Sequence, residues 1–136
     1  QYLREKAFSL YPFCELRSIG FTEVVSKNKW KENHNYLQGI INDYIIDFDS
    51  SEGYYGKLVF RFYIKDELMD YDEFDKVFEG FSDYKAIYNG YSVDLCFHRK
   101  KHGFSTFLEF RNELNSFSEY LKKSKLKPEL LEDIRR

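Results

Sequence analysis

Cys96 and His98 stand two residues apart, with His102 four further on. Thiolate and imidazole are the donors that zinc takes, and alternate residues of a strand share a face. Cys14 or His34 would have to complete the four-ligand shell. No CxxC pair and no histidine pair one helical turn apart supports that shell, and His98 and His102 flank a loop, so no metal is expected. The same Cys96 and His98 could act as thiol and general base. Leu95 and Phe97 beside them make the segment read as an ordinary strand, and Cys14, between Phe13 and Leu16, reads as a small core residue.

Asp94 together with Glu109-Phe110-Arg111 is similar to the site of restriction-type nucleases. There an Asp on one strand and a Glu-x-Lys on the next hold a divalent cation and orient water. Arg in the lysine place stays protonated and exchanges no proton. The expected register puts Asp94 and Glu109 on one face but not adjacent, with Asp94 beside Lys85, so structural ion pairing is the simpler reading. Asp47-x-Asp49-x-Ser51 begins like a calcium loop, but Gly53 falls at the seventh position and the segment joins two strands. There is no phosphate loop, dinucleotide fingerprint or Gly-x-Ser-x-Gly elbow. No catalytic residue, metal or cofactor is expected, and the chain reads as a non-catalytic protein.

Tyr55, Lys57, Arg61 and Tyr63 alternate onto one strand face, as in a base-stacking platform. Gly56-Lys57-Leu58 lacks the aromatic-glycine-aromatic core of RNA-recognition sheets, and Asp43 and Asp47 neutralise the same face. Nucleic-acid binding, or a divergent metal-dependent nuclease, is therefore the alternative reading.

Charge is uneven along the chain. Residues 42–83 hold 12 acidic and 4 basic side chains, whereas residues 84–127 hold 9 basic and 4 acidic. Acidity peaks between Asp66 and Asp75, where six of ten residues are carboxylates. A helix N-terminus welcomes some of that charge, but the excess exceeds what capping needs. Carboxylates with apolar and aromatic residues among them suit capture of a basic protein. Asp66, Glu67, Met69, Asp70, Tyr71, Asp72 and Asp75 are the expected partner-binding residues.

The elements that would position these groups follow from pattern. Pro12 starts a short helix carrying Phe13, Leu16 and Ile19, with Gly20 as its left-handed cap and Phe21 beyond. Residues 22–26 read as a strand and 27–35 as a turn-rich stretch around Trp30. Two long strands, 36–48 and 54–64, are expected as a hairpin closed by Asp49-Ser50-Ser51-Glu52-Gly53. Leu58, Phe60, Phe62 and Ile64 alternate onto a core face. Pairing Phe48 with Tyr54 sets Tyr44 opposite Leu58 and Ile40 opposite Phe62 in the core, with Asp43 and Asp47 beside Lys57 and Arg61 outside. Asp70 and Glu73 resemble a capping box, opening a helix with Tyr71, Phe74, Val77 and Phe78 at helical spacing. Asn89-Gly90 predicts a two-residue hairpin with both residues at positive φ, pairing Lys85 with Asp94 and Ala86 with Val93. Residues 104–110 fit either a returning strand or a helix from Ser105. A helix over 112–124 and a short one from Pro128 close the chain.

Hairpins without βαβ alternation imply an α+β fold, with one antiparallel sheet of five or six strands and helices on one face. With 136 residues, 43% hydrophobic, the chain fits a single domain, 1–136. Its 20% aromatic content suits a ring-packed, strand-rich core. The net charge of −2 gives no general pull toward nucleic acid or anionic membrane. No apolar run reaches membrane-span length, no signal-like apolar region accompanies Arg4, Glu5 and Lys6, and two distant cysteines make no disulfide framework. A cytoplasmic protein-binding module with a basic protein partner is expected. In size, acidic face and want of an active site the chain is similar in type, without a shared motif, to small immunity proteins that inhibit bacterial toxins.

Overall fold

The computed structural model describes residues 13–28, 31–49, 57–65, 70–79, 85–98, 106–124 and 126–129. A 3₁₀ helix (Phe13–Ile19) leads into strands β1 (Thr22–Asn28), β2 (Lys31–Ile41), β3 (Tyr44–Asp49) and β4 (Lys57–Tyr63). Helix α1 (Tyr71–Phe78), strands β5 (Lys85–Tyr88) and β6 (Ser92–His98) and helix α2 (Phe107–Lys123) follow. The six described strands form one antiparallel sheet in the order β1-β2-β3-β4-β6-β5, so the expected α+β class holds.

Local signals act where the sequence places them. Gly20 takes φ 100°, its N–H donates to Arg17 O, and Phe21 N–H donates to Leu16 O. These two bonds make a Schellman ending, and the apolar residues at its ends, Leu16 and Phe21, both enter the core. Phe21 then crosses β2 at Gly39, where any Cβ would collide with its ring. Asp70 caps α1 by accepting from Glu73 N–H at 2.8 Å. Thr106 caps α2 in the same way through Glu109 N–H, at 3.2 Å. That cap makes residues 107–110 helix, not a returning strand.

The core lies on one face of the sheet. Phe60, Phe62 and Ile64 of β4 and its extension are buried, as are Val93 and Leu95 of β6 and Phe74 of α1. The side chains of Leu58, Phe78 and Phe97, also expected there, lie outside the described set. Phe48 stacks on Phe60 at 4.5 Å, α2 sets Phe110 at 5.3 Å from Phe60, and Phe117 lies 5.0 Å from Phe62. Phe13 reaches both Phe48 and Phe110, and Phe74 stacks on Tyr88. The three described helices therefore pack against the same face.

Several expectations about the strands and their pairing are corrected. Residues 36–48 are not one strand: Asn42 (φ 51°) and Asp43 (φ 75°) form a tight turn between β2 and β3. A two-residue turn keeps Ile41 and Tyr44 opposite each other on one face, so the core parity changes from odd residues on β2 to even residues on β3. Leu37 and Ile41 are buried with Tyr44, Ile46 and Phe48, whereas Ile40 is 60% exposed. The β3–β4 register pairs Phe48 with Phe60, not with Tyr54, and Ile46, not Ile40, faces Phe62. The closing loop, 50–53, lies outside the described residues.

In the β5–β6 hairpin only Gly90, at φ 88°, is left-handed; Asn89 is not. Asn89 N–H donates to Ser92 O, which centres the turn on Gly90-Tyr91 with its positive φ at the first central residue, the type II′ pattern. Moving the centre by one residue moves the register by two, so Lys85 faces Cys96 and Ala86 faces Leu95. Finally, β2 already begins at Lys31 within the stretch read as turn-rich, whose Trp30 lies outside the described residues. Pro128 itself bridges Ile64, while Lys65 N–H donates to Lys127 O and Glu129 N–H to Tyr63 O; the rest of the short helix expected from Pro128, residues 130–136, lies outside the described residues. Proline lacks an N–H, and at this position the ladder uses those of its neighbours.

Candidate functional site

Of the seven expected partner-binding residues, Asp66, Glu67 and Met69 lie outside the described residues, as does the side chain of Tyr71. Asp70, Asp72 and Asp75 are exposed on or just before α1, and Glu73 and Glu79 are exposed with them. The helix is amphipathic, with Phe74 buried at 2% exposure and stacked on Tyr88 at 5.0 Å and 20° between rings. Packing thus holds α1 against β5 with its carboxylates turned to water. Asp70 is partly used by the cap. Asp72, Asp75 and Glu79 form no ion pair among the described residues.

The sheet's other face treats its charges differently. Cross-strand register lines up Gln38, Asp47, Arg61 and Asp94 across β2, β3, β4 and β6. Arg61 Nε and Nη2 donate to the two oxygens of Asp94 at 2.9 and 3.1 Å. This fork raises the Arg61 pKa above its already high value, through its hydrogen bond to Asp94 and despite partial burial. Asn89 Nδ2 donates to the same carboxylate at 3.2 Å. Asp47 accepts from Gln38 Nε2 at 2.7 Å and from Tyr63 Oη at 2.5 Å. Burial, then the bond to Asp47, pushes the Tyr63 phenol above its usual range. The sequence reading puts Asp43 and Asp47 beside Lys57 and Arg61; the different register sets Asp47 opposite Arg61, whereas Asp43 lies in the β2–β3 turn and pairs with Lys122. That reading gives Asp94 to Lys85, whereas the structure gives it to Arg61, because the hairpin centre lies one residue further on.

This geometry bears on the enzymatic and nucleic-acid alternatives. Asp94 lies on the outer sheet face, while Glu109 belongs to the first turn of α2 on the core side. The two carboxylates are on opposite sides of the sheet and do not share a cation. Arg61, the described cation of the supposed nucleic-acid platform, is already forked onto Asp94; Tyr55 and the Lys57 side chain lie outside the described set. Cys96 is half-buried on the outer face and Cys14 half-buried in the 3₁₀ helix, and neither is in a disulfide. His102 and the side chains of His34 and His98 lie outside the described set. Among the described residues, no group of three or more His, Cys, Asp or Glu is placed to hold a metal.

One polar cluster escapes sequence reasoning altogether. Asn42 Nδ2 donates to Ser118 Oγ at 2.9 Å and to Glu119 Oε1 at 2.5 Å. Lys122 Nζ reaches Asn42 Oδ1 at 2.8 Å and Asp43 Oδ2 at 2.9 Å. The β2–β3 turn is thereby clasped to the last turns of α2. Next to it Tyr44 Oη donates to Leu126 O, and burial, followed by the nearby Glu119 and Asp43 charges, pushes that phenol well above its usual range. The signal for the turn was the Asn-Asp pair, two residue types that tolerate left-handed backbone.

No described helix is long and apolar enough to cross a membrane. No protein-family model matches the chain, and no curated protein or solved structure is significantly similar to it.

Proposed function

We propose that the chain is a non-catalytic protein-binding module that captures a basic protein partner through the acidic face of α1 and the acidic segment before it. The observation that carries this reading is the contrast in how carboxylates are used. Asp43, Asp47 and Asp94 each receive a donor from the fold, whereas Asp72, Asp75 and Glu79 have no cation among the described residues. Charge that neither caps a helix nor pairs within the fold still acts at long range and speeds encounter with an oppositely charged surface. A small inhibitor of the immunity type is the kind of protein this describes, with Met69 and Tyr71 as the apolar contacts that slow release.

The test is kinetic. A partner recovered by affinity capture is measured against wild type and against the triple variant Asp66→Lys, Glu67→Lys, Asp72→Lys. The expected result is an association rate at least tenfold lower for the variant at low salt, with the difference shrinking as salt is raised. An undiminished association rate at low salt overturns the reading.

A further inference from the structure

An asparagine carboxamide and an open backbone nitrogen are neighbours in the β5–β6 turn. Gly90 carries no side chain, and apart from its chain neighbours no heavy atom lies within 4 Å of the place a Cβ would take. The turn closes through Asn89 N–H and Ser92 O at 2.9 Å, and the Gly90 N–H makes no hydrogen bond among the described residues. Both Asn89 and Gly90 are half-buried, so water reaches them. The Asn89 carboxamide is held by two bonds, from Nδ2 to Asp94 Oδ2 at 3.2 Å and to Ser92 Oγ at 3.3 Å, both at the long end of the range for such bonds. A weakly tethered carboxamide beside an unhindered, unbonded amide nitrogen is the arrangement in which asparagine loses ammonia, and asparagine is a thermolabile residue type.

We propose that Asn89 is a self-modifying position of the folded protein, and that its conversion sets a second carboxylate against Asp94 and loosens the Arg61 fork. The Gly90 nitrogen gives its proton to water and attacks Asn89 Cγ. The N–Cγ bond forms, the Cγ–Nδ2 bond breaks, and Nδ2 takes up a proton and leaves as ammonia. Water then opens the succinimide ring at either carbonyl, which restores the Gly90 N–H and leaves aspartate or isoaspartate at position 89. The net change consumes one water, releases one ammonia and needs no oxidant or cofactor. Its consequence follows from what Asn89 touches. Conversion turns a donor to Asp94 into an acceptor of like charge, in a place where Ser92 is fully buried and Asp94 is 8% exposed. Charges so placed are screened less than surface ones. The new carboxylate also competes for the Arg61 guanidinium, so an event in a turn reaches β4 in the middle of the sheet. The isoaspartate product further lengthens the turn by one backbone carbon, against a turn set by Gly90 at φ 88°.

Mass spectrometry tests the site and denaturation tests the coupling. Wild type is held in warm, mildly alkaline buffer, once folded and once in urea, and followed by intact mass and peptide mapping. The folded protein is expected to gain the mass of an amide-to-acid exchange at position 89 before any other asparagine reacts, and Asn89→Gln is expected to abolish that early gain. A gain seen only in urea, or first at another asparagine, overturns the site. Asn89→Asp supplies one product directly and is expected to lower the denaturant midpoint. In an Asp94→Asn background, where the opposing charge is gone, that lowering should shrink to about half or less. A midpoint unchanged by Asn89→Asp, or lowered equally in both backgrounds, overturns the coupling to Asp94.

Discussion

Asp94 lies within the sheet with the Arg61 guanidinium forked across both its oxygens, while Asp72 and Asp75, on α1, face water. The two regions show two uses of the same side chain. In the sheet, burial forces each carboxylate to find donors, because an unpaired buried charge costs more than its pairing returns. On α1 the charges remain hydrated, so packing makes no demand on them beyond the cap at Asp70. Stability is therefore concentrated in the first set, and freedom to meet a partner in the second. Each prediction below sets one region against the other.

The largest effect is expected from Asp94→Ala. It leaves Arg61 half-buried without its fork and removes an acceptor from Asn89 and Ser92. The expected loss is about 2–3 kcal/mol, below the range for fully buried pairs because Arg61 retains access to solvent. Replacing Arg61 and Asp94 together by Met and Leu should cost less than the sum of the single changes. Urea denaturation of wild type, Asp94→Ala, the single variants Arg61→Met and Asp94→Leu, and their double variant reads both effects.

The β2–β3 turn comes next. Asn42→Ala meets a positive φ and also loses the clasp to Ser118 and Lys122, for about 2 kcal/mol. Asn42→Gly keeps the backbone at ease and isolates the clasp, at about 1 kcal/mol. A glycine variant as damaged as the alanine variant would show that the side-chain contacts, not the backbone, govern this corner.

These same places mark where the sequence ceased to be legible. Elements written in neighbouring residues were read correctly: the Gly20 ending, the Asp70 cap, the alternation of β4 and the span of α1. The Asn42–Asp43 turn was missed because it contains no glycine and interrupts a run of apolar residues, Ile40, Ile41, Tyr44, Ile45 and Ile46, that reads as one continuous strand. That single omission moved Ile40 to the wrong face, since a turn resets parity. At Asn89-Gly90 the hairpin was legible but its centre was not, because the dipeptide suits the two central positions of a type I′ turn as well as the first two positions of a type II′ turn. Choice of partner was least legible. Asp94 had Lys85 and Arg61 as nearby cations on the two strands that flank β6, and the registers decide between them: β5 sets Lys85 opposite Cys96, and β4 sets Arg61 opposite Asp94. The acidic face of α1, by contrast, needs no distant partner, so helical spacing alone displayed it.

Alkali should separate buried phenols from wet ones. Tyr44 and Tyr63 have folded-state pKa values above the unfolded value near 10. The unfolded chain therefore ionises first, so their contribution is complete below about pH 10 and is lost as pH rises beyond it. Denaturant midpoints followed from pH 8 to 11 should fall above about pH 10, by up to about 1.4 kcal/mol per pH unit for Tyr44, which is fully buried. Tyr44→Phe and Tyr63→Phe should each flatten that fall. A variant whose alkaline slope matches wild type would remove its tyrosine from this account.

The smallest effect on stability is the most informative about α1. Asp70 and Asp72 are two residues apart, both exposed and both acidic, yet only Asp70 accepts a backbone N–H. Asp70→Ala should cost about 1 kcal/mol, the usual loss of an N-cap. Asp72→Asn with Asp75→Asn should change stability by no more than about 0.5 kcal/mol, because it removes only an exposed interaction with the helix dipole. Thermal and urea unfolding of both variants decide the point. A double variant that destabilises as much as Asp70→Ala would show that these carboxylates are engaged in holding the fold, and the division between paired sheet charge and unpaired helix charge would fail. A near-silent double variant leaves charge on α1 that the fold does not require, which is the condition for its use at a partner's surface.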